Sequence, residues 1–410
     1  MKIEFIDGGV TAAQGFSAAG LHCGVKTNNP NKKDVALIVA DRDCTAAAVY
    51  TTNVVKAAPL HVTRTHLQNG RARAIIANSG NANACAPEGE QNAERMCNAA
   101  AAALKIATED VLVASTGVIG QRLRVEVVEG GMPTLTAQLD ASADGSDAAA
   151  QAIMTTDTVK KECAVAVEIG GKTVKMGGIA KGSGMIHPNM GTMLCFITTD
   201  CAISAEMLST ALKSVTNKSF NRISVDGDTS TNDMGIVLAS GAADNDEITV
   251  AGADFDTFSE ALTALCITLA REMASDGEGA KHLITCTVSN AESEKKAETI
   301  AKSVISSTLF KSAVFGADAN WGRVLCAMGY SGEVFDPDKV SVVFKSAAGA
   351  VTVCENGRGL DFDEELAKKI LTEHDIEVLI NLGEPSDAAC TCWGCDITYD
   401  YIKINGDYRT

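Results

Sequence analysis

The chain has 410 residues, of which 46% are hydrophobic, and its formal net charge is −17 at pH 7. This length and this apolar content suffice for two compact domains or one large domain. The strong negative charge argues against nucleic acid and against an anionic membrane surface as binding partners.

The first residues and the hydropathy pattern predict a soluble protein of the cytoplasm. Residues 1–7 include acidic side chains where a signal peptide would need an uninterrupted apolar core. No apolar run approaches the roughly 20 residues that span a bilayer. We therefore expect cytoplasmic localisation and no association with a membrane.

Short apolar runs that alternate with helical patterns and glycine-rich turns predict a layered α/β or α+β protein. Apolar runs bounded by turn residues are typical of buried strands, and they occupy residues 35–40, 74–77 and 111–114. Apolar residues at helical spacing predict helices at residues 93–104, 258–269 and 364–374. Neither an internal repeat nor a proline-rich linker marks a domain boundary.

Fourteen cysteines are scattered along the chain, many of them in apolar or helical stretches. There a reduced cysteine behaves as a small core residue, as we expect for Cys97, Cys195, Cys266 and Cys326. Residues 390–395 contain a cluster of three cysteines, but no second cluster or nearby histidine completes the four ligands that a zinc site needs. We therefore expect no metal, and a cysteine-rich zinc protein is the weakest functional alternative.

The most informative segment runs from residue 181 to residue 200, and it contains a Gly191–Thr192 bond between a glycine-rich loop and a strand-like run. If this bond is cleaved, Thr192 becomes an N-terminal residue whose hydroxyl and α-amine form a self-contained nucleophile and base. The expected products are residues 1–191 and residues 192–410. The ordinary alternative is a strand threonine without catalytic function, because threonine favours strands.

Three features around the bond favour the catalytic interpretation. The glycines between residues 177 and 191 permit strained or left-handed conformations that present a carbonyl to attack. Lys181 supplies a positive charge nearby. The motifs of the common alternatives, namely a Gly-x-Ser-x-Gly elbow, a His-Glu-x-x-His helix and a Walker loop, are absent from the sequence.

Residues 180–194 closely resemble the self-cleavage segment of the glutamate N-acetyltransferases, also called ornithine acetyltransferases, of arginine biosynthesis. Further stretches resemble the same family in the same order along the chain: residues 78–84, 114–120, 224–233, 316–323 and 393–410. The resemblance covers the whole chain. Gly191 departs from the family pattern, which usually has alanine before the nucleophile, and we expect cleavage to survive this change.

The resemblance implies an oxyanion hole formed by the hydroxyl of Thr116 and the backbone N–H of Gly117. Acyl transfer develops negative charge on a carbonyl oxygen, and donors aimed at that oxygen supply a few kcal/mol. From the residues alone, Ser115–Gly117 is more typical of a plain turn after a strand, because serine, threonine and glycine mark turns.

The resemblance also implies a substrate pocket for amino acids, and it assigns to that pocket Thr155, Lys181, Thr192, Glu278, Asn405 and Thr410. Thr156 is an alternative to its neighbour Thr155. A pocket for amino acids needs a cation for the carboxylate and an anion for the ammonium group, and Lys181 and Glu278 suit these tasks. From the residues alone, a glutamate in a glycine-rich loop is usually solvated.

The implied reaction moves the acetyl group of N2-acetyl-L-ornithine to L-glutamate through an acetyl-Thr192 enzyme and needs no cofactor. Some family members also accept acetyl-CoA as a co-substrate, and no feature of the sequence decides this. The implied fold is an α/β N-terminal-nucleophile type related to self-processing aminopeptidases, and the implied assembly contains two α and two β chains. The rivals are an amidase or aminopeptidase that uses water as acceptor, and an uncleaved amino-acid-binding protein.

Two polar segments and the C-terminus complete the sequence predictions. Residues 226–233 look like a calcium loop, but Thr231 and Val237 stand where an EF-hand needs glycine and an acid, so we expect a structural turn near the active site. Residues 78–83 predict a turn without chemistry. Residues 402–410 begin with a strand-like stretch, and the resemblance implies that Asn405 and Thr410 reach the substrate pocket.

Overall fold

The computed structural model describes residues 2–27, 29–187 and 193–406. These residues form two mixed β-sheets with helices packed against them, which confirms the predicted layered α/β class. Gly191, Thr192 and Thr410 lie outside the described residues.

The strands, in chain order, are β1 (Glu4–Ile6), β2 (Phe16–Leu21), β3 (Val35–Tyr50), β4 (Arg71–Asn81), β5 (Val111–Val118), β6 (Lys161–Ile169), β7 (Lys172–Lys181), β8 (Leu194–Thr199), β9 (Ile223–Ser224), β10 (Met234–Ala239), β11 (Leu283–Ala291), β12 (Ser341–Ser346), β13 (Gly349–Glu355), β14 (Arg358–Gly359), β15 (Asp375–Asn381) and β16 (Ala388–Cys395). The helices are α1 (Ala58–His66), α2 (Gly89–Leu104), α3 (Val125–Ala137), α4 (Ala143–Ile153), α5 (Ala205–Lys218), α6 (Ala253–Ser275), α7 (Glu294–Ser306), α8 (Thr308–Phe315), α9 (Trp321–Gly329), α10 (Glu364–Thr372) and α11 (Tyr399–Asn405).

The first sheet has nine strands among the described residues, in the order β1-β6-β7-β8-β10-β3-β4-β5, with β2 also paired to β3. Strand β7 runs antiparallel to β8, with Lys181 opposite Leu194. Strand β10 runs parallel to β8, with Met234 opposite Leu194. The end of β7 and the beginnings of β8 and β10 therefore lie side by side, at the same end of these central strands.

Alternation along the central strands places apolar side chains on both faces of the first sheet. In β8, Leu194 and Phe196 belong to the core beneath α4, whereas Cys195 and Ile197 belong to the core shared with α5 and α6. A strand that is apolar on both faces is typical of a sheet covered by helices on both sides.

The second sheet has seven strands within the described part of the chain, in the order β14-β13-β12-β15-β11-β16-β9. Helices α7, α9 and α10 cover one face and form an almost entirely apolar core with it. Helix α6 packs against β6 and β7 of the first sheet and against β16 of the second. The long helix α6 therefore joins the two layers.

The predicted strands and helices are confirmed, with shifted ends. Residues 35–40, 74–77 and 111–114 lie within β3, β4 and β5, and the three predicted helices are α2, α6 and α10. Helix α10 ends at Thr372, because Glu373 already has an extended conformation.

Two predictions about local structure are wrong. Residues 402–405 belong to the helix α11, not to a strand, because the Thr398 side chain accepts hydrogen bonds from the backbone N–H groups of Asp400 and Tyr401 and caps a helix there. The glycine-rich stretch is not all loop, since Gly177 and Gly178 lie inside β7. A Cβ on Gly177 would stand 1.8 Å from the carbonyl oxygen of Gly9, so this glycine permits close backbone packing.

The cysteines are mostly core residues, as predicted, with one correction. Cys97, Cys195 and Cys266 are buried, but Cys326 is exposed because it lies on the outer side of α9. No helix among the described residues is long and apolar enough to cross a membrane.

Candidate active site

A cavity of about 110 Å³ opens where the ends of several elements meet. The predicted site residues that line it are Thr116, Gly117, Thr155, Lys181, Glu278 and Asn405. They come from positions as far apart as β5 and α11. The folding of the described chain therefore brings together every predicted site residue that lies within it.

Thr116 and Gly117 lie within β5 and not in a turn after it, contrary to the interpretation from the residues alone. Gly117 has a φ of 131°, and a Cβ at this position would stand 2.4 Å from the carbonyl carbon of Gly80. Only glycine fits such a position. The backbone that presents the Gly117 N–H therefore depends on the absence of a side chain.

Buried hydrogen bonds hold the end of β5 in place. The Ser115 hydroxyl donates to Asn78 Oδ1 at 2.7 Å, and Asn232 Nδ2 donates to the Ser115 carbonyl oxygen at 2.8 Å. Asn78 lies within β4, so the predicted turn at residues 78–83 begins only after Asn81. Asn78 and Asn232 therefore fix the strand end that carries Thr116, a function that the sequence analysis did not assign to them.

Lys181 is the last residue of β7, and its side chain is buried. Its ammonium donates to the Thr116 hydroxyl oxygen over 3.3 Å. Burial lowers the pKa of Lys181, while the negative charge of Asp157 opposes this shift. A cation and a hydroxyl are thus adjacent on one wall of the cavity.

Glu278 is 6% exposed, which corrects the expectation that a glutamate in this loop is solvated. Its carboxylate accepts a hydrogen bond from Asn405 Nδ2 at 2.6 Å. Gly184 lies against it so closely that a Cβ there would stand 2.4 Å from Glu278 Cδ. The loop after α6, the loop after β7 and helix α11 therefore close around one carboxylate.

Thr155 and Thr156 both line the cavity, Thr155 as a buried residue and Thr156 as a half-buried one. The backbone N–H of Thr155 donates to Asp157 Oδ2 at 3.0 Å. The two alternatives of the sequence prediction thus share one wall of the cavity.

Residues of the 226–233 loop belong to the site, although the sequence indicated only a structural turn nearby. Ser230, Thr231 and Asn232 line the cavity. Asp226 accepts hydrogen bonds from the backbone N–H groups of Met185 and Ile186 at 2.6 and 2.9 Å. The similarity of this loop to the family was the one signal that could have identified these residues.

A smaller inner cavity of about 20 Å³ adjoins the first and is lined by Thr116, Lys181, Met193 and Asp233, among others. Asp233 is 2% exposed, and its Oδ2 atom has no hydrogen-bond partner among the described residues. Burial raises the pKa of Asp233 well above its ordinary value. An acid of this kind beside Met193, the residue after Thr192, was missed by the sequence analysis.

The loop that follows Lys181 contains a strained residue. Met185 has a φ of 57°, in the left-handed region that residues other than glycine rarely adopt. The hydrogen bond to Asp226 holds it there. Backbone strain of this kind is a feature of functional sites.

The cavity combines a buried ammonium group, a buried carboxylate and several hydroxyl and amide groups. A positive and a negative group that line one cavity suit a small zwitterion such as an amino acid. Within the described chain, no group of three or more His, Cys, Asp or Glu side chains is arranged to hold a metal ion. The cysteines of residues 390–395 lie on β16, where Cys390, Cys392 and Cys395 are buried.

Comparisons with known proteins give one family. The profile of the ArgJ family matches residues 17–410. The arginine biosynthesis bifunctional protein ArgJ of Caldanaerobacter subterraneus subsp. tengcongensis is 49% identical over 409 residues, with 100% of each chain covered. The protein of the same name from Symbiobacterium thermophilum is 50% identical over 409 residues, again with 100% of each chain covered.

Among solved structures, the crystal structure of the arginine biosynthesis bifunctional protein ArgJ from Bacillus halodurans is 42% identical, with a TM-score of 0.50. The alignment covers 52% of this chain and 99% of that chain.

Proposed function

Because the chain belongs to the ArgJ family, we propose that it transfers the acetyl group of N2-acetyl-L-ornithine to L-glutamate. The observation that carries this proposal is the cavity that Thr116, Lys181 and Glu278 line together. The adjoining inner cavity shares Thr116 and Lys181 and is also lined by Met193, the residue that follows Thr192. The products are L-ornithine and N-acetyl-L-glutamate.

The first step of the proposal is self-cleavage. The Thr192 hydroxyl attacks the Gly191 carbonyl, the acyl group passes from the Thr192 nitrogen to its oxygen, and water hydrolyses the ester. This leaves chains of residues 1–191 and 192–410, which stay associated. The Bacillus halodurans chain supports a division near the middle, since 99% of that chain aligns with only 52% of this one.

The second step is acetyl transfer by the new N-terminus. The α-amine takes the proton from the Thr192 hydroxyl, whose oxygen attacks the acetyl carbonyl of the donor. An α-amine has a pKa of about 7.7–8.0, which suits a base near neutral pH. The proton passes to the departing ornithine amine. Glutamate then attacks the acetyl-threonine ester through its neutral amine, the bond between the acetyl carbon and Thr192 Oγ breaks, and the α-amine of Thr192 passes the proton of the glutamate amine to that oxygen.

The oxyanion of each tetrahedral intermediate is held by the Thr116 hydroxyl and the Gly117 N–H. The backbone conformation of Gly117, which only glycine fits, and the nearby Lys181 ammonium support this assignment. Donors fixed before the reaction contribute more than donors that must reorganise, because a preorganised site needs no further ordering in the transition state.

The charged groups of the substrates are recognised by the charged groups of the cavity, and in the acetyl donor the ammonium group is that of the side chain. Lys181 pairs with the substrate carboxylate, and Glu278, held by Asn405, pairs with an ammonium group. Thr155 and Thr410 complete the pocket in this proposal. Because Asn405 and Thr410 belong to the pocket in this proposal, a C-terminal tag is expected to impair substrate binding.

Four finer points belong to the same proposal. The relatives are named bifunctional, and we assign acetyl-CoA as a second acetyl donor. Two α and two β chains form the assembly, and the cytoplasm is its location. No cofactor takes part in the acetyl transfer as proposed.

The first experiment records the intact mass of the purified protein and of a Thr192→Ala variant under denaturing conditions. The proposal expects two chains from the wild type, the second beginning at Thr192, and one whole chain of 42.6 kDa from the variant. An uncleaved wild type would instead favour an amino-acid-binding protein.

The second experiment separates transfer from hydrolysis. Wild-type protein is incubated with N2-acetyl-L-ornithine that carries the label in its acetyl group, with and without L-glutamate. Label that moves to glutamate faster than it appears as free acetate supports the transferase, and ping-pong kinetics support the acetyl-enzyme. Hydrolysis at the same rate in both mixtures would identify an amidase.

A further inference from the structure

Three buried charged side chains form an ion triad behind the wall of the cavity. Lys161 Nζ lies 2.7 Å from Asp157 Oδ1 and 2.6 Å from Asp276 Oδ2. The side chains of Lys161 and Asp157 are 0% and 1% exposed, and that of Asp276 is 8% exposed. A buried triad of this kind adds little net stability, since desolvation of the charges offsets their attraction.

Asp157 connects the triad to two residues of the cavity wall. Its Oδ2 accepts the backbone N–H of Thr155 at 3.0 Å. Its Oδ1 accepts the backbone N–H of Gly182, the residue after Lys181, at 2.8 Å. One carboxylate thus fixes the backbone at two separate places that face the substrate.

Asp276 connects the triad to the loop that carries Glu278. Its carbonyl oxygen accepts the Ser183 hydroxyl at 2.6 Å, and the carbonyl oxygen of Ser183 accepts the backbone N–H of Glu278 at 2.9 Å. The ion pair between Lys161 and Asp276 therefore sets the loop that carries Glu278 against the loop that follows Lys181. It also joins residues 1–191 to residues 192–410.

The triad also acts on the charge of Lys181. The negative charge of Asp157 raises the pKa of this lysine, whereas the positive charge of Lys161 lowers it. The two aspartates and one lysine carry one excess negative charge when all are ionised. The titratable groups that face Lys181 are Lys26, Asp157, Lys161, Asp233 and Glu278.

We propose that Asp157, Lys161 and Asp276 are positioning residues for the amino-acid substrate. The triad fixes the separation between the ammonium of Lys181 and the carboxylate of Glu278, and its Asp157 carboxylate places a negative charge near Lys181. This inference rests on the proposed function of the same cavity, and it adds residues that touch no substrate.

The test compares Asp157→Asn with Lys161→Met, which have opposite effects on the charge next to Lys181. In each variant the KM for L-glutamate is expected to rise roughly ten- to hundredfold, because the walls of the pocket lose their alignment. At saturating glutamate kcat is expected to change less than threefold. Self-cleavage, checked by intact mass, is expected to remain.

The pH dependence of kcat/KM for glutamate distinguishes a specific effect of the triad on Lys181 from a general structural defect, which would not shift the profile in opposite directions. Glutamate binding needs cationic Lys181, so kcat/KM falls as the pH rises through the pKa of Lys181. Asp157→Asn removes an opposing negative charge and moves this alkaline limb to lower pH. Lys161→Met removes a positive charge and moves it to higher pH.

Asp200→Asn is the matched control. Asp200 is a buried acid at the end of β8 that accepts backbone N–H groups from Gln14 and Lys175 at 3.0 and 2.7 Å, away from the cavity. This variant is expected to melt at a lower temperature with an unchanged KM and an unchanged alkaline limb. Should Asp157→Asn fail to fold, Asp276→Asn replaces it, because Asp276 is the least buried member and its loss also removes a negative charge. Should Lys161→Met fail to fold, Lys161→Gln replaces it and also removes the positive charge.

Equal alkaline limbs in the two triad variants, or a KM within twofold of the wild type in both, would overturn the proposal. If the wild-type protein transfers no acetyl group, the proposed function fails on its own. In that case calorimetry measures the affinity for glutamate over the same pH range. The affinity of Asp157→Asn is expected to fall at a lower pH than that of the wild type, and the affinity of Lys161→Met at a higher pH. Equal pH profiles in the two variants would overturn the proposal.

Discussion

The two sheets of the molecule differ in where they bury polar groups. The core beneath α7, α9 and α10 of the seven-stranded sheet contains side chains such as Ile284, Phe344 and Val378, all fully buried and apolar. At the ends of strands in the nine-stranded sheet, by contrast, the buried residues include Ser115, Thr116, Lys181 and Asp233. Hydrophobic burial stabilises the first region, while the second region keeps groups whose desolvation is unfavourable.

This difference separates stability from chemistry. Buried polar groups are tolerated when hydrogen bonds or charges compensate them, as they do for Ser115 and Asn78. The compensation is incomplete at Asp233, whose Oδ2 has no partner in the described part of the chain. Substitutions in the two sheets should therefore affect different measurements.

The largest expected effect is on stability, from Phe344→Ala in the seven-stranded sheet. Phe344 is fully buried, and its ring stacks on that of Phe310 with centroids 6.5 Å apart. Loss of the ring should lower the free energy of unfolding by about 3–5 kcal/mol. Urea unfolding is measured in a Thr192→Ala background, so that one whole chain unfolds.

The kinetic parameters of Phe344→Ala in the cleavable protein are expected to match the wild type where the variant is folded. A large change in kcat with little loss of stability would contradict the separation between the two sheets.

The next effect is on rate, from Thr116→Val at the cavity. Valine keeps the shape of threonine but removes the hydroxyl that accepts from Lys181. Loss of one oxyanion donor lowers kcat about 10²–10³-fold. Stopped assays with N2-acetyl-L-ornithine and L-glutamate measure the rate, and thermal unfolding should show that the stability of the variant is nearly unchanged.

Thr116→Ser is the control for this prediction, because serine retains the hydroxyl. It should keep most of the activity. Equal losses in the valine and serine variants would argue against a role for the Thr116 hydroxyl.

The smallest effect concerns Glu272, on the helix that joins the two sheets. Burial raises its pKa to about 7. The folded state then holds this proton more tightly than the unfolded state, so stability is highest below the ordinary pKa and falls as the pH rises to about 7. Because Glu272 is partly exposed, we expect about 1 kcal/mol from this effect.

Glu272→Gln should remove that dependence and stabilise the protein at pH 8. Urea unfolding at pH 5 and pH 8, again in the Thr192→Ala background, measures the free energy of unfolding of both proteins. A variant that follows the wild type at both pH values would show that Glu272 titrates normally.

Local patterns predicted much of the fold because the signals are carried by neighbours in the chain. The apolar run at residues 111–114 and the helical spacing of residues 93–104 lie in β5 and α2. The C-terminal prediction failed because two isoleucines alternate over too short a stretch to outweigh the capping residue Thr398.

The sequence predicted which residues belong to the candidate site, but not how they are buried or which loops bring them together. Similarity to the family named Thr116, Lys181 and Glu278, and these residues line one cavity. No pattern in the sequence indicates that Glu278 is buried or that Asp233 faces the inner cavity. Those properties depend on which loops meet, and the meeting loops are separated by up to hundreds of residues.

The sequence by itself determined the family, the layered α/β class and the bond expected to be cleaved, because short motifs and local periodicity encode them. Only the tertiary structure decided which buried charges stand together. Lys161 and Asp276 are separated by 115 positions, yet their atoms lie 2.6 Å apart. Contacts of that range arise from the packing of whole elements, and no local pattern of residues records them.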